Sequence, residues 1–130
     1  MPPYKLWPYE NEFRKREIEA LMGRSVKRLS NGEINIDVSP YEIDSLRRLT
    51  FTHDIETKGC GQLRTWQSVI ENGDVKVEQC RKDPKYVTHG IHPYKGKFYP
   101  QLAKCLFNMA KLKPGSTVLD PYCGSGTVLL

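Results

Sequence analysis

No apolar run in this sequence approaches the roughly 18 residues that a bilayer-spanning helix requires, and the opening residues Met1 to Pro8 lack the apolar core of a signal peptide. The expectation is a cytoplasmic protein without membrane partners. Cysteine is sparse: Cys60, Cys80, Cys105 and Cys123 form no C-x-x-C pair and have no histidines at matching spacing, so no zinc or other metal site is expected and the thiols are read as reduced. Cys105 is read as facing inward from a helix. Cys123 is read as a small side chain that fits its loop, since no flanking residue supplies a base to activate it.

Acidic residues run short in one half only. Residues 1–58 carry ten Lys/Arg and ten Asp/Glu, whereas residues 59–130 carry ten and five, so the whole net charge of +5 lies in the second part. There Arg81, Lys82, Lys85, Lys95, Lys97, Lys104, Lys111 and Lys113 oppose a lone Asp83 and are interleaved with Tyr86, Tyr94, Phe98 and Tyr99. This pattern suits phosphate contact, with Arg81, Lys82, Lys85 and Lys95 as candidate nucleic-acid-binding residues. The alternative is a solvated basic face, because Lys104, Lys111 and Lys113 fall on or after a helix whose C-terminal end favours cations anyway.

At 130 residues and 38% apolar content, the chain can form one modest domain or a module plus part of a second. Tyr9 to Met22 reads as a helix between Pro8 and Gly23, with Phe13, Ala20 and Leu21 among its apolar residues. Val26 to Ser30 and Glu33 to Val38 flank Asn31-Gly32 as a hairpin, with Ile34, Ile36 and Val38 alternating as on a half-buried strand. Ser39, Pro40 and Glu42 form a capping-box pattern that opens a helix from Pro40 to Leu49. After a loose stretch around Lys58-Gly59-Cys60-Gly61, a second hairpin is expected from Leu63–Ile70, Asn72-Gly73 and Val75–Cys80. Trp66 is read as a core residue, with a base-stacking platform as the alternative. From Pro100 the period becomes helical, with Leu102, Ala103, Leu106, Phe107 and Ala110 forming an apolar stripe.

Lys113-Pro114-Gly115-Ser116 closes that helix and leads into Thr117-Val118-Leu119, read as a strand, then Asp120-Pro121-Tyr122-Cys123-Gly124-Ser125-Gly126-Thr127. A strand, a Gly-x-Gly turn and a helix N-terminus make a nucleotide-type binding edge, where small residues let backbone approach a ligand and N–H groups point at it. Asp120 at the strand's end offers a carboxylate, Gly124 and Gly126 remove side chains, and Thr127 brings a hydroxyl to the first helical turn. A lone Gly-x-Gly also serves as an ordinary structural turn.

That loop, with the upstream Thr88-His89-Gly90-Ile91-His92-Pro93-Tyr94-Lys95-Gly96-Lys97-Phe98-Tyr99-Pro100-Gln101-Leu102, resembles the S-adenosylmethionine-dependent DNA amino-methyltransferases. The resemblance covers about residues 86 to 130. It implies that Asp120, Pro121, Tyr122, Cys123, Gly124, Ser125, Gly126 and Thr127 form the cofactor loop, Tyr122 standing where the family usually has Phe. It further implies that the His-Pro segment packs beside the methionine end of the cofactor through residues among Lys95, Lys97, Phe98 and Tyr99. The implied activity is methyl transfer to cytosine N4 or adenine N6 of a base flipped from double-stranded DNA, as in restriction-modification. The implied fold is α/β: the incomplete opening of a Rossmann-like methyltransferase domain (86–130), preceded by a small mixed α+β module (1–85).

The family's catalytic tetrapeptide, an Asp, Asn or Ser followed by Pro-Pro and an aromatic, does not follow the loop. Ser39-Pro40-Tyr41 resembles it with one proline lost, but the capping pattern accounts for those residues. No catalytic residue is therefore assigned. Thr127-Val128-Leu129-Leu130 is about one helical turn and would leave an apolar end in water. The chain is accordingly expected to be inactive alone and to need a second subunit or a missing C-terminal portion that carries the catalytic motif. Two other readings are an RNA methyltransferase making N2-methylguanosine in tRNA and a noncatalytic DNA-binding subunit.

Overall fold

The computed structural model describes residues 5–28, 32–57, 59, 61–71, 91 and 98–129. Helix α1, Pro8–Met22, occupies the expected span: Pro8 sits at its first position, the Trp7 N–H donates to the Glu10 carboxylate at 3.0 Å, and left-handed Gly23 closes it by donating to the Glu19 carbonyl. Its inward face is not the apolar set the sequence suggests. Glu10, Arg14 and Glu17 are buried on it together with Ile18 and Met22.

The first hairpin forms, shorter than expected, from β1 (Lys27–Arg28) and β2 (Ile34–Asn35), paired antiparallel as Lys27↔Asn35 and Arg28↔Ile34. Ile34, Ile36 and Val38 all pack on one core cluster of Ile18, Met22, Val26, Leu46 and Leu49, as their alternation predicts. Ser39 is the cap foreseen: its N–H and hydroxyl reach the Glu42 carboxylate at 2.8 and 2.9 Å. The helix it opens is tighter and shorter than Pro40–Leu49, a 3₁₀ turn Pro40–Glu42 followed by α2, Ile43–Leu46. The backbone then turns so that Leu49 and Phe51 enter the core.

The second hairpin is not the expected one. Strand β3 (Asp54–Thr57) pairs antiparallel with β4 (Gly61–Arg64) across the stretch read as loose, and Trp66–Ile70 forms a short helix, α3. Thr65 decides this: its side chain accepts the Ser68 N–H at 3.2 Å and donates to the Thr52 carbonyl at 2.6 Å, capping a helix where a continuing strand was expected. Val75–Cys80 lies outside the described residues. Among the described residues both sheets are two-stranded.

Helix α4, Pro100–Met109, starts where the sequence places it and packs against α1. Its buried residues are Pro100, Gln101, Ala103, Cys105 and Asn108. Cys105 does face inward, fully buried in a second cluster with Leu6 and Phe51, flanked by Phe13 and Met109. The expected stripe does not hold as a unit, because Leu106 and Ala110 are exposed. Of the stripe only Ala103 is buried, because this helix also buries polar groups that find partners elsewhere in the chain.

Those partners make a buried polar frame. Glu17 accepts the Thr50 N–H, the Thr50 hydroxyl and Asn108 Nδ2, the last at 2.7 Å, and Asn108 also donates to the Arg48 carbonyl at 3.0 Å. Burial pushes the Glu17 carboxyl above its usual range, opposed by these donors, while burial lowers Lys104 nearby. In a second group, Glu71 takes His53 Nε2 at 2.7 Å on one oxygen, and Gln67 Nε2 and Gln101 Nε2 at 2.8 and 2.6 Å on the other. Burial would raise the Glu71 carboxyl, but the three partners hold it below the usual range. Helix α3 is thereby tied to the first turn of α4. The expected domain boundary, between residues 85 and 86, falls outside the described residues.

Candidate functional site

The segment from Ser116 to Asp120 carries no regular structure and pairs with no described strand, so the strand expected at Thr117–Leu119 is not formed among the described residues. Val118 and Leu119 are exposed, Leu119 by 85%. The physical reason is that a strand exists only through a neighbour, and no described strand lies alongside to receive its N–H and C=O groups. Consequently the Rossmann-like sheet implied by the resemblance is not built by these residues.

The loop that follows does take a defined shape. Asp120 Oδ1 accepts the Tyr122 N–H at 3.1 Å, an Asx-type turn that leaves its second oxygen uncommitted among the described residues. Gly124 and Gly126 adopt φ of +51° and +77°, a region that L side chains avoid. Gly126 N–H donates to the Cys123 carbonyl at 2.7 Å, and Leu129 N–H to the Gly126 carbonyl at 3.0 Å, which turns the chain into a 3₁₀ segment, Thr127–Leu129, in place of the expected α-helical start. Thr127 is buried and this turn packs against α4, so the loop is seated at one end only.

Pro121, Tyr122, Cys123 and Gly124 are exposed and Ser125 is half-buried. Tyr122 is 92% exposed. Of the upstream candidates, Phe98 and Tyr99 are partly exposed at the start of α4, where Tyr99 is the N-cap residue. Tyr99 also lies near Tyr9 of α1, whose hydroxyl is raised by burial and by the neighbouring Glu10 and Tyr99. Lys97 and the candidate nucleic-acid residues Arg81, Lys82, Lys85 and Lys95 lie outside the described residues, as do Cys60 and Cys80. Among the described residues no group of three His, Cys, Asp or Glu could hold a metal ion. No described helix is long and apolar enough to cross a membrane.

The structure also corrects the reading of Trp66. Its indole is 46% exposed, with the Arg47 guanidinium 4.0 Å from the ring centroid, and so it is not a core residue. The sequence carried no sign of this contact, which depends on the β3–β4 pairing that folds Trp66 back onto Arg47.

Residues 91–130 match the family model UPF0020, the RMKL-like methyltransferase domain. Among curated proteins, the type II methyltransferase M.MjaII of Methanocaldococcus jannaschii is 52% identical over 42 residues, 32% of this chain and 8% of that protein. A tRNA (guanine(10)-N2)-dimethyltransferase of Methanothermobacter thermautotrophicus is 43% identical over 37 residues, 28% of this chain and 11% of that protein. The enzyme of the same name from M. jannaschii is 38% identical over 53 residues, 41% of this chain and 14% of that protein. The chain thus spans only a small part of the relatives it matches. No solved structure matches it. The methyltransferase likeness read from the two motifs is shown by these matches.

Proposed function

We propose that this chain is the cofactor-loop portion of an S-adenosylmethionine-dependent enzyme that methylates an exocyclic amine of cytosine or adenine in DNA. The observation that carries the reading is the Asp120–Thr127 turn: an acidic residue with one oxygen left over, an exposed aromatic and two left-handed glycines, within a stretch similar to methyltransferases. These residues fit the cofactor. Asp120 would accept a hydrogen bond from it, Tyr122 would lie against a flat or apolar part of it, and Gly124 and Gly126 would let the backbone come close. S-adenosylmethionine, when bound, supplies an activated methyl group. Phe98 and Tyr99, at the start of α4, would flank the other end of the ligand, and Lys97 precedes them in sequence.

The chain would act with a second subunit or a further portion that supplies the Pro-Pro-aromatic tetrapeptide, the neighbouring strands and the grip on the flipped base. Support for DNA comes from the His89–Tyr99 segment and from the higher identity to the type II methyltransferase, 52% against 43% and 38% for the two tRNA enzymes. Those tRNA relatives favour a second reading, transfer to guanine N2 in tRNA. Transfer of labelled methyl groups to duplex DNA and to tRNA, by the chain with its complement, separates the two. Label in DNA alone supports the first reading, and label in tRNA alone replaces it.

A further inference from the structure

Helix α3 turns an unusual face outward. Trp66, Val69 and Ile70, spaced i, i+3, i+4, are all exposed by a third or more. Beside them the Arg47 guanidinium lies over the indole, 4.0 Å from the centroid, and the Trp66 backbone N–H donates to the Arg47 carbonyl at 2.9 Å, so backbone and side chain fix the pair together. Arg47 Nε is buried without a hydrogen-bond partner, and among the described residues no carboxylate pairs with this guanidinium. Arg47 is half-buried, so a guanidinium that lies over an indole without a carboxylate partner among the described residues remains open to an anion.

The position of α3 narrows the choice of partner. Gln67 of α3 and Gln101 of α4 share the carboxylate of Glu71, the residue that caps α3, and Gln101 lies two residues after Tyr99, a residue assigned to the cofactor. A partner held on α3 is therefore anchored to the same frame as the start of α4. The chain's net charge of +5 favours a polyanion, and an indole backed by a cation matches a base whose strand carries phosphates.

We propose that Trp66 and Arg47 form a stacking platform for an unpaired base of the DNA strand, with Arg47 meeting the adjoining phosphate. This rests on the DNA-methylating reading above. The test uses the chain carrying Trp7→Phe, which leaves Trp66 as its reporter, titrated with a short deoxythymidine oligomer. Saturable quenching of Trp66 emission is expected. Trp66→Ala should weaken binding about tenfold or more, Trp66→Phe should recover most of it, and Arg47→Ala should reduce the slope of log affinity against log salt by about 0.7. Affinities of the Trp66 variants, which keep no tryptophan, are read from the anisotropy of a labelled oligomer, and circular dichroism with the Trp66 quenching keeps the test valid should Trp66→Ala unfold. Oligomer binding without quenching, and at equal affinity in the Trp66 variants, would overturn the platform while leaving the DNA reading intact. Failure to bind any DNA in the presence of the complement would overturn both, and preference for a uridine oligomer would transfer the platform to RNA and refute the proposal as stated.

Discussion

Replacing Asp120 by Asn separates the two tasks assigned to its carboxylate. Oδ1 shapes the loop by accepting the Tyr122 N–H at 3.1 Å, while the charge and the second oxygen are assigned to S-adenosylmethionine. Asn keeps a carbonyl oxygen for Tyr122 and loses the charge. With Oδ1 kept by Tyr122, the cofactor-facing oxygen becomes the amide NH2, a donor that cannot accept, so Asn should lose the charge-assisted bond, about 1.5–3 kcal/mol or roughly 10- to 150-fold in Kd. Ala loses the same bond and also releases the turn, for a loss at least as large. Folding stability should move little in either variant, by about 0.5 kcal/mol, because the Tyr122 contact is exposed. The assay is calorimetric titration of the chain and its complement with S-adenosylmethionine, beside urea unfolding of each variant. Equal affinity for all three, with folding unchanged, would refute the binding role. Loss in Ala alone would make Asp120 a turn former and nothing more.

Gly126→Val should weaken cofactor binding more than Asp120→Ala. The new Cβ meets only Leu129 Cδ1, at 3.6 Å, so the strain lies in the +77° φ, and the branched side chain projects where the ligand is proposed to lie; calorimetry against Gly126→Ala checks this. Glu17→Ala should destabilise the chain by about 2–4 kcal/mol, since it opens a cavity and leaves the buried Thr50 N–H without its acceptor; a urea midpoint within error of the parent would contradict this. Because burial raises the Glu17 carboxyl, its contribution is fullest below the ordinary Glu pKa and falls as pH rises through the elevated value; Glu17→Gln should flatten that decline in unfolding scans across pH. Arg24 and Ser39 hold Glu42 down to about 2, so its contribution is present above the ordinary value and lost as pH falls toward 2; Arg24→Ala should return the carboxyl toward 4.5 in an NMR titration. Changing Lys82, Lys85 and Lys95 together to Ala should weaken duplex binding and flatten its salt dependence, and an unchanged slope would leave a merely solvated face.

Signals that act over a few residues were legible. Pro8 and Gly23 bound α1, Ser39 with Glu42 announces a cap, Pro100 opens α4, and the Asp120–Thr127 residues carry the methyltransferase likeness. What failed depends on distant partners. Gln101 and Asn108 are buried because Glu71 and Glu17 receive them, so an apolar stripe could not identify the inner face of α4. Glu17 and Thr50 meet across 33 residues, and nothing local marks either as buried. The hairpin through Leu63–Ile70 does not form because the Thr65 hydroxyl caps α3. Thr117–Leu119 has the composition of a buried parallel strand, and that conformation waits on neighbours that these residues do not provide.

The central claim is methylation of an exocyclic amine in DNA, and the direct measurement is product analysis after transfer of labelled methyl groups. Purified chain should transfer nothing alone. With the complement carrying the Pro-Pro-aromatic motif, duplex DNA should acquire N4-methylcytosine or N6-methyladenine, and transfer should fail in Gly126→Val. Robust turnover by the chain alone would contradict the division of the site between two parts, and label found only as N2-methylguanosine in tRNA would contradict the assignment to DNA.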